Sequence, residues 1–230
     1  MFFLQNHFSE PAASSLRRHL GCDLPTVCTV SNGIDTRAFA AARPDAEICR
    51  KYDGCTRLIM VARFAAAKDH ATVIRAMKLL PSECHLFFVG DGPRRGECER
   101  MAKELQLEAR VHFMGMRADV AQLLKSCHIG IMSSHWDGFG LAAVEAMAAR
   151  LPVAASDVEG LREVVDGAGL LFGCGDASEL ASQVRRLIAD PDFYDRTSEA
   201  CFARACEYDI SATARAYESI YKQLILKNHA

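Results

Sequence analysis

Two acidic residues, Asp137 and Glu145, stand with seven residues between them, the first following Ser133-Ser134-His135-Trp136 and the second leading Ala146-Met147-Ala148. One falls in a loop and the other about a turn inside the next helix. That separation suits two carboxylates gripping different hydroxyl-bearing parts of one extended ligand. Between them lie Gly138, Phe139, Gly140 and Leu141. Glycines flanking a phenylalanine at a strand-to-helix turn let backbone amides approach a ligand with no Cβ in the way. Upstream, the run Arg63-Phe64-Ala65-Ala66-Ala67-Lys68 offers two cations. Lys68 is expected to open a helix, where an ammonium opposes the macrodipole. A bound anion would reverse that penalty, because the free N–H groups and the ammonium would share it. The plainer alternatives are two solvated cations, a helix-terminal acid and an ordinary helix acid, and spacing alone leaves both readings open.

These residues need a scaffold, and the sequence supplies one. From Arg57 onward short apolar runs alternate with amphipathic stretches. The runs are Leu58 to Ala62, His85 to Val89, Val111 to Phe113, Ile129 to Met132, Val153 to Ala155 and Leu170 to Phe172. Helical patterns lie between them at Lys68 to Leu80, Arg94 to Leu105, Ala118 to Lys125 and Leu141 to Ala149. Such alternation predicts right-handed βαβ crossovers and an α/β fold, a doubly wound parallel sheet covered on both faces. Ligands of such sheets bind beyond the carboxyl ends of the strands, where Arg63, Lys68 and Asp137 fall. Three helices are expected to follow, Glu179 to Ala189, Asp192 to Tyr208 and Ser211 to Leu226, the last with Tyr217, Ile220, Tyr221 and Leu224 on one stripe. A helix from Glu10 to Leu20 and a strand from Thr26 to Val30 precede the sheet and read as the tail of another domain.

Composition narrows the function classes. The chain has 230 residues, half of them hydrophobic, enough for a sizeable core. Lys plus Arg number 27 against 29 Asp plus Glu, a formal charge of -2 without a basic block, which argues against nucleic acid as a partner. The 10 cysteines form no CxxC pair, so neither a zinc ribbon nor a thioredoxin-type couple is spelled out, and reduced cytosolic thiols are expected. Met1 to Leu4 is too short for a signal peptide or a membrane span. In Gly90-Asp91-Gly92-Pro93-Arg94-Arg95-Gly96 the third glycine is one residue late for a dinucleotide fingerprint and Pro93 removes an amide. Asp190-Pro191-Asp192 reads as a helix break rather than a metal-binding DxD, and Trp136 as lip packing or a sugar platform.

Asp137-Gly138-Phe139-Gly140-Leu141 through Glu145-Ala146-Met147-Ala148, then Leu151-Pro152-Val153 and Ala155-Ser156-Asp157, resembles the E-x7-E signature of the retaining GT-B glycosyltransferases of group 1, family 4. The resemblance extends to Asn32-Gly33-Ile34-Asp35, Val61-Ala62-Arg63 with Lys68, Val89-Gly90-Asp91-Gly92-Pro93, Val111-His112-Phe113-Met114-Gly115 and Gly160-Leu161-Arg162-Glu163-Val164-Val165. It implies a nucleotide-sugar-binding C-terminal domain over residues 31–208. The cations matching Arg63 and Lys68 would hold the donor diphosphate as leaving group. The acid matching Asp137 would bind hydroxyls of the transferred sugar, with the amides of Phe139 to Leu141 nearby. Glu145 would hold the ribose hydroxyls, and backbone near Met114 to Met116 the base. The donor would be a UDP-sugar or GDP-sugar, transferred with retention of configuration and without a divalent metal or other cofactor.

The resemblance further implies a sugar or lipid-linked acceptor, residues 1–30 as a remnant of the acceptor-binding domain, and residues 209–230 as a helix crossing back to it. A separate chain carrying that N-terminal domain is then an expected partner, and the location is the cytoplasm or the periphery of the inner membrane surface. Two alternatives stand beside the transferase: a non-catalytic nucleotide-sugar-binding subunit and a nicotinamide oxidoreductase. The sequence departs from the family pattern at three places. Asp137 is one methylene shorter than the commoner Glu, Arg150 stands where a helix-ending Gly is usual, and Glu159 brings a carboxylate that would crowd a diphosphate.

Overall fold

A computed structural model describes residues 30–228. The expected helix at 10–20, most of the strand at 26–30 and the apolar Met1 to Leu4 lie outside them. Six strands build one parallel sheet: β1 (Thr56–Val61), β2 (Cys84–Val89), β3 (Val111–Phe113), β4 (Ile129–Met132), β5 (Val153–Ser156) and β6 (Leu170–Phe172), in the order β3-β2-β1-β4-β5-β6. All five pairings are parallel, so each connection is a crossover through a helix.

The strands read as continuous apolar runs because both faces are buried. Leu58 and Met60 point to one face with Leu86, Phe88, Ile129 and Ile131, while Ile59 points to the other with Phe87, Val89 and Val153. The first face is covered by α3 (His70–Leu79), α4 (Arg95–Glu104) and α8 (Ala177–Ala189), through Ile74, Met77, Ala102, Leu180 and Val184. The second is covered by α5 (Val120–Lys125), α6 (Leu141–Ala148), α7 (Glu159–Val165) and α9 (Pro191–Glu207), through Leu124, Val144, Met147, Leu161 and Cys201. Two six-residue helices, α1 (Thr36–Ala41) and α2 (Ala46–Lys51), precede the sheet, and α10 (Ile210–Asn228) follows α9. Asp35 and Asp45 cap α1 and α2 by accepting from backbone amides.

The 190–192 segment is the expected break: Asp190 accepts from the Phe193 amide and Pro191 opens α9. On α10, Tyr221 and Ile225 are exposed while Tyr217 and Ile220 are half-buried. The start of α10 is tied to the region before α1. The Ile210 amide donates to the Ile34 carbonyl, and Thr36 donates to the Asp209 carboxylate at 2.6 Å. Among the described residues no helix is long and apolar enough to cross a membrane.

Arg150 closes α6 with φ 65°. Its amide donates to the Met147 carbonyl and the Leu151 amide to the Ala146 carbonyl, the pair of bonds that defines a Schellman end. The left-handed conformation strains any residue with a β-carbon. The Arg150 guanidinium lies 3.9 Å from the centroid of the Phe202 ring, a cation–π contact that offsets the strain.

Candidate functional site

In this strand order the chain reverses its winding between β1 and β4, and the crevice at such a switch point is where open α/β sheets take ligands. The two loops leaving β1 and β4 are stitched across it. Lys68 and Ser134 form an isolated antiparallel bridge, the Asp69 amide donates to the Ser133 carbonyl at 3.0 Å, and the His135 amide donates to the Ala67 carbonyl at 2.8 Å. Behind them the Ser134 amide donates to the buried Ser156 hydroxyl at 3.0 Å. Residues from three strand ends are thereby held in one place. A cavity of about 210 Å³ opens there, lined by Lys68, Ser134, Asp137, Gly140, Leu141 and Leu161 with parts of β1 and β4.

Lys68 does not open a helix, contrary to the sequence expectation. It lies in the turn before α3, and the buried carboxylate of Asp69 caps that helix through the Thr72 amide and hydroxyl. Lys68 is instead paired with Asp137 across the cavity, both side chains mostly buried. The sequence had given the two residues separate tasks, and the fold joins them. Asp137 also accepts from the Phe139 amide at 3.3 Å. Arg63 stands exposed outside the cavity lining, and no partner meets its guanidinium among the described residues.

The glycine loop splits into roles the sequence did not separate. The Phe139 ring is buried and meets Tyr208 edge-on at 5.2 Å, so it anchors the loop rather than facing the cavity. Gly140 is the N-cap of α6 and supplies no side-chain acceptor. The amides of Leu141 and Ala142, which line the cavity, have no hydrogen-bond partner among the described residues. These orphan donors belong to the first turn of α6 and share the cavity lining with Lys68, a combination chemically suited to an anion. Below the loop sits Gly160, whose missing Cβ would fall 2.3 Å from the Asp137 carbonyl oxygen. No larger residue fits there without moving the loop. Gly138 faces open space.

Glu145 lies one turn beyond Leu141 on the same helical face. It is half-buried and unpaired among the described residues, and burial pushes its carboxyl up from the usual range. Such a carboxylate gains most from hydroxyl donors that replace lost water. Met114 and Met116 are not brought to the cavity. Met114 is half-buried at a separate depression along β3 with Tyr52, His112 and Arg117, and Met116 is 81% exposed. Their backbone is spoken for in part, since Met114 donates to Phe88 and Gly115 accepts from Gly90. Glu159, which the sequence reading placed against a diphosphate, is exposed and outside the lining. Trp136 is 61% exposed at the rim. Sequence reasoning missed Ser134, Ser156 and Leu161, whose only signal is their position just after a strand or just inside the next helix.

Fold and site together define a parallel α/β domain with a crevice at its switch point, lined by Lys68 and the start of α6. The sequence model of the family described as "Glycosyl transferases group 1" matches residues 45–204, and the chain belongs to that family. Over 203 residues it is 30% identical to the N-acetyl-alpha-D-glucosaminyl L-malate synthase of Bacillus anthracis, covering 85% of this chain and 49% of that protein. It is 28% identical to the alpha-D-kanosaminyltransferase of Streptomyces kanamyceticus, over 78% of this chain and 49% of that one. Among solved structures, the HepE protein of Anabaena in complex with UDP superposes with a TM-score of 0.85 at 24% identity, covering 95% of this chain and 64% of that one. HepE has also been crystallised with UDP-glucose. The sucrose-phosphate synthase of Thermosynechococcus elongatus superposes with a TM-score of 0.81 at 26% identity, over 97% of this chain and 58% of that one. The fold is thus that of the C-terminal domains of GT-B glycosyltransferases, and the chain spans about half the length of the curated relatives it matches.

Proposed function

We propose that this chain is the donor-binding half of a retaining glycosyltransferase, taking a UDP-sugar or GDP-sugar in the crevice between the β1 and β4 loops. The observation that carries this reading is the convergence of the Lys68 ammonium with the partnerless Leu141 and Ala142 amides on one cavity at the switch point. That is a diphosphate's complement: one mobile cation and two fixed dipoles. Arg63, exposed at the mouth, adds a second cation once a ligand bridges to it.

Asp137 holds Lys68 before the donor arrives. On binding, the ammonium turns to the diphosphate and the freed carboxylate accepts from sugar hydroxyls, so the ion pair is a preassembled switch between two ligand groups. Glu145 takes the ribose hydroxyls. As the glycosyl–phosphate bond breaks, negative charge grows on the departing phosphate, where the Lys68 charge and the α6 dipole stabilise it most. Attack on the same face, with the leaving phosphate helping to take the acceptor's proton, preserves the anomeric configuration. That HepE was crystallised with UDP and with UDP-glucose favours a uridine donor.

Transfer also needs an acceptor held in line, and orientation of that kind supplies roughly 7–11 kcal/mol of a barrier. We assign that task to an acceptor-binding domain facing this one, supplied on a separate chain, with α10 as the helix that docks against it through the exposed Tyr221 and Ile225. The testing experiment is calorimetry with UDP and with UDP-glucose on the wild-type chain and Asp137→Asn. The expected result is that Asp137→Asn binds UDP at least as well as wild type, because Lys68 loses its competitor, yet loses the preference for UDP-glucose. Equal losses for both ligands would remove Asp137 from the sugar.

A further inference from the structure

One exposed thiol stands apart from the other cysteines. Cys84, Cys98 and Cys201 are buried, and burial pushes each thiol up to about 11; for Cys127 it reaches about 12. These are inert core residues. Cys174 is exposed, in the loop between β6 and α8, and its Sγ lies 3.4 Å from Nδ1 of His135. The opposite ring nitrogen, Nε2, faces the carboxylate of Asp69 at 3.9 Å, within ion-pair reach. Asp69 is itself only 5% exposed and held by Thr72. The thiol is thus within hydrogen-bond reach of one ring nitrogen and of the Ser134 carbonyl oxygen at 3.5 Å, and the buried carboxylate is within ion-pair reach of the other nitrogen, the order in which a base-activated nucleophile is built. Cys174 also sits two residues before the N-cap of α8, a helix of 13 residues. Two acids close by in sequence are occupied: Asp176 accepts from the Ser178 and Glu179 amides and Glu179 from the Gly173 amide.

We propose that Cys174 is a covalent modification site, a thiol prepared by His135 and Asp69 for exchange with small disulfides at the rim of the crevice. The Sγ–H proton passes to Nδ1 of His135, and the imidazolium so formed faces the Asp69 carboxylate. Sγ then bonds to one sulfur of the incoming disulfide while its S–S bond breaks. The departing thiolate leaves with the electron pair and takes the proton back from His135. Cys174 ends as a mixed disulfide and one reagent sulfur as a thiol, so the exchange balances with no further oxidant. The loop that carries His135 also carries Ser134 and Asp137, so an adduct here sits beside the crevice. The inference concerns this triad alone and stands whatever the crevice binds.

The test is the reaction of the full chain with limiting 5,5′-dithiobis(2-nitrobenzoate), followed by thionitrobenzoate release and peptide mapping. Cys206, exposed on α9, serves as the internal standard, and adducts at Cys22 and Cys28 are counted separately. Cys174 is expected to react at least about tenfold faster than Cys206, and His135→Gln to bring it within about threefold of that standard. The His135→Gln thermal midpoint, expected to match wild type, establishes that the variant is folded. A wild-type Cys174 no faster than Cys206, or an unchanged rate in folded His135→Gln, would overturn the proposal.

Discussion

Two Gly-x-Gly loops leave the same edge of the same sheet, Gly90-Asp91-Gly92 after β2 and Gly138-Phe139-Gly140 after β4. They differ in where their backbone donors go. In the first, Gly90 donates to Gly115, Gly92 to the Asp91 carboxylate, Arg94 to Phe64 and Arg95 to Gly92, and the Asp91 carbonyl accepts from Phe64. In the second, among the described residues only the Phe139 amide has a partner, and the amides of Leu141 and Ala142 that follow have none. The first loop spends its hydrogen bonds on the fold, and the second holds them in reserve. Glycine spacing alone does not separate a structural loop from a binding one, whereas the accounting of donors does.

The largest effect that tests this contrast comes from below the open loop. Gly160→Ala would drive a β-carbon to 2.3 Å from the Asp137 carbonyl, and overpacking of this kind costs about 3 kcal/mol. We expect a lowered denaturant midpoint together with at least a tenfold loss of UDP-glucose affinity in the folded fraction. Gly92→Ala places its β-carbon 2.4 Å from the Phe64 carbonyl and should lower the midpoint while sparing that affinity. Affinity lost equally in both variants would erase the distinction between the loops.

Next in size is Lys68→Ala. Charge-assisted hydrogen bonds contribute about 1.5–3 kcal/mol, so UDP binding measured by calorimetry should weaken about ten- to a hundredfold. The unfolding midpoint should fall as well, since the mostly buried Asp137 carboxylate is left without its counter-ion. An unchanged affinity would take the phosphate away from this cavity.

The Phe64–His70 stack, on whose backbone the closed loop rests through Gly92, has its own signature. His70 stacks on Phe64 at 4.0 Å between centroids, and burial pulls its pKa down to about 4. A histidine kept neutral in the fold but free to charge when unfolded favours the unfolded state as pH falls below about 6.5, until the folded group also protonates near 4. Between pH 7 and pH 5 we expect a loss of about 2 kcal/mol of stability from His70, a dependence that His70→Phe should flatten. An equally steep profile in His70→Phe would assign the effect elsewhere, His112 being the next group held down by burial.

The smallest effect is expected at the far end of α6, where the Arg150 and Leu151 amides donate back to the Met147 and Ala146 carbonyls. Arg150→Gly relieves about 1 kcal/mol of left-handed strain and gives up a cation–π contact of about 0.5–1 kcal/mol, so the net change should stay within about 0.5 kcal/mol. Arg150→Ala keeps the strain and loses the contact, and should be the less stable of the two by thermal melting.

The sheet was legible in the sequence because strands buried on both faces leave unbroken apolar runs, and Ile129–Met132, buried along its whole length, is the clearest. The helices α1, α2 and α7 were not, since six or seven residues carry too little periodicity, and only the Asp35 and Asp45 caps announce two of them. The start of α3 was misplaced because Lys68 was read as its first residue, while Asp69 with Thr72 is the true cap. At the site, residue types and loops were readable, but the Lys68–Asp137 pairing was not. It spans 69 positions and exists only because the β1 and β4 loops cross the switch point. Met114 and Met116 were assigned by resemblance, and nothing in their own spacing places them at the crevice.

Amide hydrogen exchange with and without saturating UDP distinguishes a diphosphate held at the open loop from one held at the closed loop. New protection is expected in peptides covering 138–145 and 62–70, with exchange at 90–96 unchanged. Protection appearing at 90–96 while 138–145 exchanges as before would contradict a diphosphate at the open loop.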